Sequence, residues 1–432
     1  MSSQLTVLLA GRVAGTLDQQ TGGRLRLRYD DDYQRSPGPL PISLSMPLAQ
    51  AVHEGPVVRN FCQGLLPDNE AVLERWGREF GVSAGNPFAL LRHVGEDCAG
   101  AVQFVPAERV GSLLRDEGSV TPLSEGDVAD RLRILRRDPA AWHLAGTGQF
   151  SLAGAQAKTA VHFDARTGQW GDPTGAVPTT HIIKPAISGF DEHDLNEHLC
   201  LAAADAAGLR AARSRIVGFG DERAVVVERF DRFPGPNGTS VRIHQEDVCQ
   251  ALGASPTMKY QAEGGPSPEQ IIALIRGSVV PEPVAAMEVW RFVDALAFNW
   301  LVAGTDAHAK NYSLLVLPGQ IRLAPLYDLA SSLPYDDMYV PRLRLAMRIG
   351  SDYRVAALSR RHWVAFAEEN GLPVRPTIER VAALAGRLPE AFRAVASSSA
   401  VAGLGSALPG ILVERVARHT ELCREGLVRE IE

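Results

Sequence analysis

Asp306-x-x-x-x-Asn311, followed by a further aspartate at Asp328, is the arrangement in this chain best suited to chemistry. Phosphoryl transfer asks little covalent help of a protein. It needs positioned phosphates, metal ions bridging them, and a carboxylate that orients the attacking hydroxyl and takes its proton. One rigid loop bearing this pair could aim Asp306 at the hydroxyl while the amide oxygen of Asn311 holds Mg²⁺. Asp328 could return beside them as a second oxygen ligand, the kind hard divalent cations prefer.

This is the spacing of a kinase catalytic loop and its metal-binding aspartate, although the flanks differ from the usual HRD and DFG. Taken alone, such a short match reads as a polar turn ending a helix. Its company strengthens it: an apolar-striped helix delivers the loop, and an aspartate closes the hairpin after it. Lys184 ends a short apolar strand. A buried lysine there needs an anionic partner, either ATP phosphates or the carboxylate of Glu197. Taken alone, Lys184 reads first as a strand-end lysine whose head reaches water. The loop 151–158 could wrap phosphates with backbone N–H groups. It holds one glycine, Gly154, and so lacks GxGxxG; alone it also reads as an ordinary hairpin loop. His244, His308 and His362 fall in no ligand pattern. The arginines at 342, 344, 348, 354, 360 and 361 read as a solvated basic face, with phosphate or nucleic-acid contact as the lesser alternative.

The elements that must position these residues follow from periodicity. Residues 4–17 predict two strands around a turn at Gly11-Arg12, and Leu25, Leu27 and Tyr29 alternate with arginines as in a half-buried strand. Val72, Leu73, Trp76 and Phe80 take helical spacing after Asp68 or Asn69 as N-cap. A helix over 87–94 and a strand over 100–105 complete an α+β unit. A charged helix over 124–138 and a strand–loop–strand over 149–163 come next. After these stand a strand over 181–184, a helix over 194–207 closed by Gly208, and a strand over 224–230. Beyond 232 the chain reads as mostly helical. Val289, Val293, Leu296, Trp300 and Ala303 form one stripe of a core helix leading into Asp306. A hairpin over 312–326 and helices over 360–430 end the pass. The division expected is 1–106, 107–231 and 232–432.

Composition narrows the class. The 432 residues are 45% hydrophobic and 22% charged, as in a globular protein, with a formal net charge of −6. That balance disfavours bulk attraction to nucleic acid or acidic membranes. Five scattered cysteines, Cys62, Cys98, Cys200, Cys249 and Cys423, show neither CxxC nor a disulfide framework and read as small core residues. No signal peptide and no apolar run of membrane-spanning length is read, so a cytoplasmic protein is expected.

Taken in order, the motifs resemble the HipA family, the kinase component of bacterial toxin–antitoxin pairs. The matching segments begin with Gly64-Leu-Leu-Pro-Asp68, Gly95-Glu-Asp-Cys-Ala-Gly-Ala-Val102, Ser151-Leu-Ala-Gly-Ala-Gln-Ala-Lys-Thr159 and Pro178-Thr-Thr-His-Ile-Ile-Lys184. They continue through Asn196-Glu197, Val227-Glu-Arg-Phe-Asp-Arg232, His244-Gln-Glu-Asp-Val-Cys-Gln250 and Asn299-Trp-Leu. Asp306-Ala-His-Ala-Lys-Asn311 and Pro325-Leu-Tyr-Asp328 complete the series. The resemblance implies a bilobal, protein-kinase-like α+β fold with an additional N-terminal α+β subdomain and a mostly helical C-lobe. It implies Asp306 as catalytic base, with Asn311 and Asp328 holding Mg²⁺. ATP would be bound by Ala153, Gly154, Ala155, Gln156, Ala157, Lys158 and Lys184. His308, Lys310, Asn311 and Asp328 would join them, and the backbone of Glu228, Arg229 and Phe230 would form the adenine hinge.

It further implies autophosphorylation at Ser151 that ejects the phosphate-binding loop and switches the kinase off. The protein substrate would be an aminoacyl-tRNA synthetase, glutamyl-tRNA synthetase first, with growth arrest and persistence as the result. A HipB-like helix-turn-helix antitoxin would bind the kinase and carry it to operator DNA. Ala157 departs from the pattern, standing where family members often have an acidic residue. The alternatives are an inactive kinase fold serving as scaffold or co-repressor, and a small-molecule phosphotransferase.

Overall fold

The computed structural model describes residues 4–142, 150–187, 189–235 and 240–428. The chain forms two compact units: Met1–Pro185 with Val217–Thr257 and Ser313–Arg322, and Ala186–Ile216 with Met258–Tyr312 and Leu323–Glu432. Among the described residues no helix is long and apolar enough to cross a membrane.

The first unit opens with an antiparallel five-stranded sheet in the order Val52–Glu54, Leu25–Tyr29, Arg12–Gln19, Gln4–Leu9, Val102–Val105. The two-residue alternation sends Leu25, Leu27 and Tyr29 into the core, where they share one cluster with Phe61, Trp76 and Phe104. The helix Glu70–Phe80 starts where Asn69 accepts the N–H of Ala71 and stops at Gly81 in the left-handed region. A six-stranded sheet follows, ordered Ser214–Phe219, Glu222–Glu228, His181–Pro185, Thr159–Asp164, Gln169–Gly175, Gly118–Leu123.

One expected strand is missing. The residues before the loop, Phe150 to Leu152, are buried coil. Their polar groups are satisfied outside any ladder: the Ser151 N–H donates to Asp97 O at 2.9 Å and Ser151 Oγ to Leu65 O at 2.8 Å. Residue 149, the proposed start of that strand, lies outside the described residues. The chain beyond 232 is also less uniform than expected. It adds the pair Arg232–Pro234 with Ser240–Arg242, a three-stranded sheet of His244–Asp247, Ser313–Leu317 and Gln320–Leu323, and the pair Arg344–Ile349 with Asp352–Arg354. The hairpin after the catalytic motif therefore ends at Leu323, not 326; Leu326 instead bridges to Ala211.

A buried ionic network in the first unit joins two motifs that lie far apart in sequence. Asp97 accepts from Arg232 at 3.0 Å, Arg242 at 3.3 Å and the Thr179 hydroxyl at 2.6 Å. Arg229 grips Asp231 at 2.8 and 3.0 Å, and Gly100 N–H donates to Asp231 at 2.6 Å. Gly100 stands at φ 77°, and a Cβ there would meet Gln245 backbone atoms at 2.7 Å, so only glycine fits. Burial pushes the Asp97 carboxyl up, but Arg232, Arg229 and Arg242 outweigh it and hold it well below the usual carboxylate range. A depressed carboxyl lends stability above its unfolded pKa of about 4 and loses it as pH falls below that value. Asp97→Asn keeps the shape but takes one carboxylate from three buried arginines, leaving Asp231 to serve Arg229 and Arg232. It should cost about 3–5 kcal/mol, read as a lower urea midpoint at neutral pH. The loss should shrink as pH drops below about 4, where Asp97 of the unfolded chain takes up a proton that the native, arginine-held carboxyl still refuses.

The second unit is helical. Glu282–Leu301, Val374–Ala396 and Leu408–Val428 are its long members, with His193–Ala206 and Arg360–Glu369 beside them. Trp300 and Trp363 are fully buried with ring centroids 5.8 Å apart. Trp300 donates its indole N–H to Val355 O, and His419 meets the Trp300 carbonyl at 3.1 Å. That packing gives the helix before the Asp306 loop a rigid seat. The five cysteines are buried and form no disulfide among the described residues.

Candidate active site

The helix Glu282–Leu301 ends in a turn that only a specific sequence allows. Ala303 takes φ 51°, and at Gly304 a Cβ would sit 2.5 Å from Asn299 Oδ1. Gly304 N–H closes on Asn299 O at 2.7 Å. The following residues are stitched to the segment that contains Asp328. Ser331 Oγ donates to Val302 O at 2.6 Å, Ser332 N–H to Ala303 O at 3.1 Å, and Thr305 and Ser332 hydroxyls meet at 3.0 Å. Tyr327 OH donates to Lys310 O at 2.6 Å. Two segments about twenty residues apart thus share one frame.

Within it Asp306 is exposed and its surroundings are fixed. Its carbonyl accepts from His308 N–H at 2.8 Å and from Asn311 Nδ2 at 3.1 Å. Asn311, buried in the turn Ala309–Asn311, commits its amide nitrogen to that bond and keeps Oδ1 as the atom to offer a cation. His308 and Lys310 are also buried. Asp328 is exposed and takes φ 56°, a left-handed backbone that aspartate tolerates better than most residues and that clusters at functional sites. Among the described residues no group of three or more His, Cys, Asp or Glu could hold a metal. One amide oxygen and one carboxylate are still a fitting set for Mg²⁺, which usually takes one or two carboxylates with phosphates and water completing its shell.

The first unit holds the other expected nucleotide contacts. Lys184 is 6% exposed in the middle of a sheet, opposite Val225, so it is a buried lysine. The loop 151–158 folds on itself: Lys158 Nζ donates to Ala153 O at 2.7 Å, and Gly154 takes φ 102°. Gly154 O accepts Asp68 N–H at 3.0 Å, tying this loop to the Gly64-to-Asp68 motif. At the expected hinge, Arg229 is already committed. Its N–H donates to Thr180 O, its carbonyl accepts Arg232 N–H, and its side chain lies in the ionic network. Glu228 and Phe230 stand on either side of it in the expected hinge.

One residue at the site carries no sequence pattern. Tyr260 OH donates to Asp306 Oδ1 at 2.5 Å, and its ring meets His308 edge-on at 5.1 Å. It lies 46 positions before Asp306; the glycine pair at 264 and 265 is the one hint of a tight loop there.

Comparisons with known proteins identify the family. The chain matches the HipA N-terminal domain over residues 5–105 and the HipA-like C-terminal domain over 150–392. Y4mE, an inferred kinase of Sinorhizobium fredii, is 34% identical over 426 residues, covering 97% of this chain and 98% of that protein. The serine/threonine-protein kinase toxin HipA of Shewanella oneidensis is 32% identical over 390 residues, covering 87% of this chain and 85% of that protein. Among solved structures, a chain of the Shewanella oneidensis complex of HipA, HipB and operator DNA superposes with a TM-score of 0.80 at 29% identity. It covers 99% of this chain and 100% of its own. An exposed aspartate on a locked loop, an asparagine anchored to its carbonyl, and both domains in order lead to one conclusion: this chain belongs to the HipA family of protein kinases.

Proposed function

We propose that this kinase transfers the γ-phosphoryl of Mg²⁺-ATP to a serine or threonine of a host protein and acts as the toxin of a toxin–antitoxin module. The observation that carries the reading is the exposed Asp306 carboxylate, held by its loop while Asn311 is bonded to the Asp306 carbonyl. In this reading Asp306 takes the proton of the acceptor hydroxyl. Asn311 and Asp328 hold Mg²⁺, and Lys184 with the loop 151–158 binds the phosphates. The working division is an N-terminal subdomain over 1–106, an N-lobe over 107–231 and a C-lobe over 232–432. Mg²⁺ supplies charge neutralisation on the phosphate oxygens. The acceptor proposed first is glutamyl-tRNA synthetase, whose inactivation would halt charging and growth and favour persistence. A HipB-like helix-turn-helix antitoxin is the proposed partner, bringing the kinase to operator DNA, and autophosphorylation at Ser151 is the proposed off-switch.

The test is radiolabelled Mg²⁺-ATP with purified chain, glutamyl-tRNA synthetase and a host lysate, with the labelled residues mapped. Label on serine or threonine of the synthetase supports the whole reading, and label on another protein changes only the substrate. No protein label at all would overturn the kinase assignment. Metal ligation has its own expected result. Asp328→Ala should weaken ATP binding measured by calorimetry in Mg²⁺ and leave binding in EDTA nearly unchanged, because a metal ligand matters only when metal is present. Equal losses in both buffers would reject Asp328 as a ligand.

A further inference from the structure

Tyr260 lies on a loop shaped to hold it. Lys259 O accepts Ala309 N–H at 3.2 Å, and Gln261 Oε1 accepts Arg348 N–H at 2.8 Å, so the residues on both sides are pinned to other segments of the second unit. Gly265 N–H closes on Tyr260 O at 2.9 Å. A Cβ on Gly265 would come within 2.2 Å of Met258 O, and Gly264 takes φ 92°, so the turn needs both glycines. The phenol then reaches Asp306 Oδ1 at 2.5 Å with its ring against His308. Among the described residues, nothing bonds the second carboxylate oxygen, Oδ2.

We propose that Tyr260 is a positioning residue for phosphoryl transfer, fixing Asp306 through Oδ1 so that Oδ2 faces the acceptor hydroxyl. This rests on the reading of Asp306 as the base. An aspartate carboxylate turns easily about its terminal torsion, and the phenol removes that freedom before the acceptor arrives. In the transfer step the acceptor oxygen bonds to the γ-phosphorus as the bond to the β–γ bridging oxygen breaks. The acceptor proton passes to Asp306 Oδ2 and ADP departs with the bridging oxygen. Tyr260 keeps its own proton throughout. A misdirected base loses rate out of proportion to the distance involved, and displacement of about 1 Å can cost about a hundredfold.

The experiment uses the full chain with Tyr260→Phe, which keeps the ring against His308 and removes only the hydroxyl. Initial rates of transfer from Mg²⁺-ATP are measured to glutamyl-tRNA synthetase and to the chain itself, beside Asp306→Asn and the double variant. The expected result is a fall in kcat of about 10–100-fold with KM for ATP within about twofold. ATP affinity by calorimetry should be unchanged, which also reports that the variant is folded. The double variant should be no slower than Asp306→Asn alone, because a residue acting through Asp306 has nothing left to act on. Unchanged kcat in Tyr260→Phe, with Asp306→Asn inactive, overturns the proposal and leaves the base reading intact. A faster Tyr260→Phe also overturns it, by showing that the phenol competes with the acceptor. Normal rates in Asp306→Asn, or no transfer by the unaltered chain, bring down the base reading and this proposal with it.

Discussion

Asp306→Asn should lower the rate of phosphoryl transfer by about 10²–10⁴-fold, the range a positioned acid or base contributes, while the protein stays folded. Folding should survive because the side chain is exposed and the bonds that lock the loop use its backbone carbonyl, which the substitution does not touch. Asparagine also keeps an oxygen where Oδ1 now accepts from Tyr260. What it cannot do is take a proton from an incoming hydroxyl. The loss should therefore appear in kcat, with ATP affinity and the urea midpoint close to those of the unaltered chain. Turnover near the normal rate would reject Asp306 as the base. Asp306→Ala should be at least as slow, since it removes the base altogether.

How far the site can be read from sequence depends on how local each relation is. Asp306, Asn311 and Asp328 stand out because residue type, spacing and the preceding apolar stripe all lie within one short stretch. Lys184 is ambiguous because two isoleucines are the only apolar residues between His181 and it, and only pairing on both sides of its strand makes it a buried lysine. The Asp97 network is unreadable because its partners are up to 145 positions apart, and no periodicity links a loop aspartate to arginines beyond a later strand. Tyr260 is hidden for the same reason. The misplaced strand before the loop 151–158 has a different origin. Phe150 and Leu152 flank Ser151 in an alternating pattern, yet the backbone at Ser151 bonds to Asp97 O. Periodicity reports which side chains are buried, not where the backbone finds its partners. The short pairs beyond 232 escape notice because three or four residues are too few to show a period.

A phosphate on Ser151 should abolish useful ATP binding, and the structure gives the physical reason. Ser151 is 0% exposed, its hydroxyl donates to Leu65 O at 2.8 Å and its N–H to Asp97 O at 2.9 Å. The loop after it is held by Gly154 O accepting from Asp68 N–H. Phosphorylation replaces the donating hydroxyl with an ester oxygen and adds nearly two negative charges at pH 7. The Leu65 carbonyl, an acceptor, then faces an anion, and a dianion has no solvation in a site without solvent exposure. The loop 151–158 must leave its seat for the phosphate to reach water, and the same departure removes the N–H groups proposed to bind ATP. Modification of this serine therefore requires an opened loop first and then prevents reclosure. Intact mass and site mapping after incubation with Mg²⁺-ATP should place one phosphate on Ser151. The isolated phosphoform should bind ATP at least about tenfold more weakly, the equivalent of about 1.4 kcal/mol, and be cut by protease within 151–158 where the unmodified chain resists. Ser151→Asp should reproduce part of the loss, since it carries one charge where the phosphate carries nearly two. Ser151→Ala should remove the off-switch, and any activity it loses measures what the bond to Leu65 contributes to the seated loop. A phosphate that maps to another residue, or a Ser151 phosphoform with unaltered ATP affinity, would rule this switch out.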